Sequence, residues 1–145
     1  MPPADADGVS DPLVQILSHS SADVVTDVVD DNLNPIFLSC KTIDYHLRDK
    51  NNLEDAPPII LNVYDVDDGF ITDSWDHLGR AVIFFQDASV NKDANKVPEP
   101  RWHPIRMGTR PTDPACGEVL ISFSVFDDNP YIKKDSEIDV GAFVR

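Results

Sequence analysis

Apolar residues in this chain come in short runs of Val, Ile and Phe, cut by clusters of Asp, Asn, Gly and Pro. β-Branched and aromatic side chains fill a pleated, half-buried surface, so this punctuation points to an all-β domain of short strands. Twelve prolines argue against long helices, because each removes a backbone donor and clashes one turn back. Strands are expected near Leu13–Leu17, Val24–Val29, Ile36–Tyr45, Ile59–Tyr64, Arg80–Phe85, Trp102–Ile105 and Val119–Phe126. In the last of these, Ile121, Phe123 and Val125 alternate with Leu120, Ser122, Ser124 and Phe126, which puts the first three on one face. Only Ser39–Leu53 lets a helical turn compete, and Arg48–Pro58 and Gln86–Pro100 read as polar loops. Seven or eight such strands suggest an antiparallel β-sandwich.

A chain of 145 residues has room for one domain with a real core. The sandwich is expected over residues 1–127, with 128–145 as a C-terminal extension. Within that extension Ile138–Val144 reads as an added strand or an ordered coil.

The charge is lopsided, with 26 acidic against 12 basic side chains and a net −14. Such a field repels nucleic acid and bare anionic lipid and favours cations. The two cysteines, Cys40 and Cys116, have no CxxC spacing; two free buried thiols in a reducing compartment are expected, with a single disulfide as the alternative. Met1–Asp5 lacks the basic-then-apolar pattern of a signal peptide, and no apolar stretch approaches the roughly 20 residues that span a bilayer. A cytoplasmic location is the expectation. The four histidines show no metal or triad spacing, and Ser10 has no Gly-x-Ser-x-Gly context, so a binding module is expected rather than an enzyme.

The aspartates cluster at two strand ends. One cluster, Asp5-Ala6-Asp7-Gly8-Val9-Ser10-Asp11-Pro12, precedes a strand; the other, Asp65-Val66-Asp67-Asp68-Gly69, follows one and continues to Asp73 and Asp76. Alternation in Asp65-x-Asp67 aims both side chains the same way if strand geometry persists. Ca²⁺ takes six to eight oxygens at about 2.3–2.6 Å in irregular geometry, so two facing Asp-rich loops suit it. The plainer alternative is that Asp and Gly are good turn residues. An EF-hand is excluded, because neither cluster has the Asp-x-Asp-x-Asp-Gly spacing or flanking helices.

The order of these fragments resembles the C2 domain family. Asp5-x-x-Gly8-x-Ser10-Asp11-Pro12 is similar to its first calcium loop, Leu33-Asn34-Pro35-Ile36-Phe37 to its Leu-Asn-Pro turn, and Ile60–Asp67 to the strand entering its third loop. Asp76-His77-Leu78-Gly79 resembles that loop's exit, while Arg101-Trp102 and Gly117–Leu120 match late strands. The resemblance implies Ca²⁺ held by Asp5, Asp11, Asp65, Asp67 and either Asp73 or Asp76, with Asp76 ranked ahead. It also implies contact with phosphatidylserine-type membranes through Phe70, Ile71 and Trp75, in docking, vesicle trafficking or fusion at a peripheral membrane location. A calcium-independent protein-interaction or scaffold module is the second reading. The runs at 57–61, 78–80 and 101–104 look ferlin-like, which implies a multi-C2 parent protein. The family's strand before the first loop is not matched here, and Asp23, Asp27, Asp30 and Asp31 stand where many relatives carry a lysine-rich phosphoinositide strand.

Overall fold

The structure is a computed structural model that describes residues 8–19, 22–38, 40–43, 45–46, 53–67, 74–86, 90–91, 98–124 and 142–144. Its strands are β1 (Pro12–Leu17), β2 (Val24–Val25), β3 (Ile36–Phe37), β4 (Ile59–Asp67), β5 (Ser74–Ile83), β6 (Val90–Asn91), β7 (Arg101–Arg106), β8 (Ala115–Ile121), β9 (Phe123–Ser124) and β10 (Ala142–Val144). A 3-10 turn, Leu53–Asp55, lies in the first predicted polar loop.

Eight strands form one ladder in the order β2-β1-β4-β5-β7-β8-β10-β3. Each neighbouring pair in it is antiparallel, and β6 and β9 make a separate parallel pair. Strand alternation sends Leu61 and Val63 of β4, Ala81 and Ile83 of β5, Ile105 of β7 and Val119 of β8 to one buried face. Phe37, on the β3 edge, joins the same core cluster as Val14 of β1, near the opposite edge. The ladder therefore curls until its two halves share a core, the all-β sandwich the sequence pattern predicts. Burying side chains of this size stabilises the fold by about 1.5–3 kcal/mol each.

Several boundaries differ from the sequence reading, each for a physical reason. Of the strand expected over Ile36–Tyr45, the described residues that pair are Ile36 and Phe37, against Phe143 and Ala142 of β10. Beyond it, Tyr45 packs edge-on to Phe85 at 4.7 Å and donates its hydroxyl to the Pro57 carbonyl, so it is held by contacts rather than a ladder. Cys40 is consequently exposed, not buried, and both cysteines are free thiols. β2 is shorter than expected, since Thr26 leaves the pairing to donate its N–H to the Val14 carbonyl at 2.9 Å.

The largest difference lies in β5, which begins at Ser74 rather than Arg80. Residues 74–79 lack apolar alternation and read as loop, yet they pair with β4 out to Asp67↔Ser74. A bulge makes this possible: the register jumps from Val63↔Gly79 to Tyr64↔His77, leaving Leu78 as the extra residue. Gly79 adopts φ +143°, and a Cβ there would lie 2.6 Å from Ile105 Cγ2, so β7 can approach β5 only because this residue is glycine. The strand expected over Val119–Phe126 starts earlier, at Ala115, and breaks at Ser122; Val125 and Phe126 lie outside the described residues.

Candidate functional site

The core-facing row of β4 runs Leu61, Val63, Asp65, so the alternation that buries the two aliphatic side chains also buries a carboxylate at the end of the core. Asp67 follows on the same row at the strand's end. Asp65 is 1% exposed. Its Oδ1 accepts the backbone N–H of Asp11 at 2.6 Å, while Oδ2 is buried and has no hydrogen-bond partner among the described residues. Burial pushes its pKa up; the Asp11 N–H opposes this, the Asp67 and Asp11 carboxylates add to it, and the Ser10 hydroxyl opposes it again.

Asp11 is placed by the first turn of β1, where Pro12 pairs with Asp65 and the Asp11 carbonyl accepts the Val66 N–H at 3.1 Å. Its carboxylate accepts the N–H of Asp31 at 2.6 Å, fixing a turn in which Asp31 holds φ +51°. Aspartate is one of the few residues that tolerates that left-handed conformation. Ser10 is fully buried, and its carbonyl accepts the Asn32 N–H at 2.8 Å, so three segments meet at this end of the sandwich.

Across the hairpin, Asp76 stands directly opposite Asp65 but is exposed, and Ser74 donates its hydroxyl to Asp67 at 3.2 Å. Trp75 is not a loop residue: it lies on β5, 46% exposed, with its ring 5.6 Å from that of Tyr64. His77 completes this cluster at 5.4 Å from Tyr64, and burial, then Arg80, lowers its pKa.

Of the residues the sequence pointed to, Asp11 and Asp65 are in direct contact, Asp67 adjoins them electrostatically, and Asp76 lies across the strand pair. Asp5, Asp73, Phe70 and Ile71 lie outside the described residues. Among the described residues no three carboxylate, imidazole or thiol groups come together closely enough to hold a metal ion. Sequence reasoning missed Ser10 and Asp31. Ser10 stands in the run that resembles the first calcium loop, and its place beside Asp11 is the signal for its role; a backbone donor such as Asp31 N–H leaves none.

The C2 domain family model matches residues 1–105, so this chain belongs to the C2 domain family. No curated protein and no solved structure matches it. C2 domains are membrane-binding or protein-interaction modules. Among the described residues no helix is long and apolar enough to cross a membrane.

Proposed function

We propose that this C2 domain binds phosphatidylserine-type membranes in a calcium-dependent manner, at the end of the sandwich that carries Asp11, Asp65 and Asp67. The observation that carries this reading is Asp65 Oδ2, a carboxylate oxygen buried without a hydrogen-bond partner among the described residues, on a group whose pKa burial raises. Leaving such an atom unpaired costs about 1–3 kcal/mol or more, which a cation would reverse. The carboxylates of Asp11, Asp65 and Asp67, with the Ser10 and Ser74 hydroxyls beside them, are the hard oxygen donors that Ca²⁺ prefers.

In this reading Asp5, Asp11, Asp65, Asp67 and either Asp76 or Asp73, with Asp76 ranked ahead, hold the calcium. Bound Ca²⁺ supplies positive charge and open coordination positions for headgroup oxygens. Asp65 anchors the set from the rigid end of β4, while Asp11 couples it to the 29–32 turn. Trp75 presents an amphipathic ring at the level where headgroups meet acyl chains, and Phe70 and Ile71 contribute shallow apolar contact. The location is cytoplasmic and peripheral to membranes. A ferlin-type parent acting in vesicle fusion rests on the runs at 57–61, 78–80 and 101–104 alone.

The second reading, a calcium-independent interaction module, is favoured by the lack of three converging ligands among the described residues. Vesicle sedimentation separates the two. Phosphatidylserine vesicles should retain the protein in calcium and release it in chelator, with weaker retention for Phe70→Ala/Ile71→Ala at raised salt. Equal binding in calcium and chelator would reject the switch.

A further inference from the structure

The outer face of the sheet carries a row that crosses five strands: Val25 pairs with Gln15, Gln15 with Asn62, Asn62 with Arg80, and Arg80 with Arg106. Gln15 and Asn62 are joined by a side-chain hydrogen bond of 3.2 Å. The next two positions instead set like charges directly opposite each other on neighbouring strands, which destabilises a sheet by itself. Arg80 Nε is buried without a hydrogen-bond partner among the described residues, and Arg106 is oriented by donating its Nε–H to the Asp113 carbonyl at 2.8 Å.

Around this pair opens a groove of about 560 Å³, which Arg101 and Arg110 also line. Val82, Phe84 and Trp102 supply its apolar surface, each more than a third exposed. No Asp or Glu is among the described lining residues, in a chain with 26 acidic side chains, although Asp113 beside the groove pairs with Arg110 at 3.0 Å and so offsets that one arginine. Four of the 12 basic residues thus share one groove on a body of net charge −14.

A flat anionic bilayer laid on this face would meet the field of the whole acidic body, whereas a narrow segment in the groove meets the arginines within a Debye length of about 8 Å. Arginine and tryptophan are also the residues that carry most binding energy at protein interfaces. We propose that this groove docks an acidic, partly apolar peptide segment of a partner protein. Its carboxylates bridge Arg80 and Arg106, and its apolar side chains pack on Trp102 and Phe84. None of these residues belongs to the carboxylate set, so docking is independent of calcium.

The test is calorimetry in chelator with a peptide of about eight residues, long enough to cross the groove as a strand, alternating Glu with Leu and Tyr. Saturable binding is expected, weakening as salt rises, with the Trp102 indole N–H resonance shifting and that of Trp75 unmoved. Arg80→Gln/Arg106→Gln should weaken binding on the order of tenfold or more in a protein that still unfolds in one cooperative transition. Equal binding of a peptide with Gln in place of Glu, or unchanged affinity in the folded double variant, would each overturn the proposal. So would binding of phosphatidylserine or phosphoinositide vesicles in chelator by a protein that ignores the peptide.

Discussion

The backbone N–H of Asp11 donates to the carboxylate of Asp65 at 2.6 Å, joining two acidic clusters 54 positions apart in sequence. One oxygen of Asp65 is thereby fixed, and the other is buried without a hydrogen-bond partner among the described residues. This arrangement makes Asp65 costly when ionised and useful when a cation is present.

A pH dependence follows from the raised pKa of Asp65. Between the unfolded value near 3.8 and the higher folded value, the native state binds more protons than the unfolded state. Stability in calcium-free buffer therefore falls as pH rises through that window, and the loss is complete above the folded pKa. Asp65→Asn abolishes this component. Urea denaturation at several pH values in chelator should show the variant gaining on the wild type as pH rises; parallel profiles would show that the carboxylate is not strained.

Ser10→Ala removes a buried hydroxyl that lowers the pKa of Asp65. A loss of about 1–3 kcal/mol is expected in chelator near neutral pH, shrinking as Asp65 becomes protonated. Denaturation midpoints at acidic and neutral pH test this, and a pH-independent loss would assign Ser10 to packing alone.

Gly79→Ala should destabilise the fold by about 1–3 kcal/mol, since φ +143° disfavours any side chain and Ile105 occupies the space a Cβ needs. The accompanying truncation Ile105→Ala removes the Cγ2 that the new Cβ would meet, so the double variant should lose less than the sum of the two single changes. A neutral Gly79→Ala would show that the β5 bulge relaxes freely.

The strands with apolar alternation were legible in the sequence, because burying Leu61 and Val63 or Ala81 and Ile83 leaves a period-two pattern. The direction of Asp65 was legible for the same reason. Ser74–Gly79 was not, because its pairing rests on backbone bonds and a bulge rather than on apolar side chains. Trp75 was read as a loop residue on that account. The arginine groove also escaped, since Arg80 and Arg106 meet only through the β5–β7 register, which no local pattern encodes.

Calorimetric titration of calcium into the wild type and into Asp65→Asn/Asp67→Asn tests the central claim most directly. The account predicts saturable binding by the wild type, none by a folded double variant, and a rise in Tm for the wild type that magnesium reproduces only weakly, given its tighter octahedral demand. Identical titrations for the two proteins, or no calcium binding by the wild type, would contradict it.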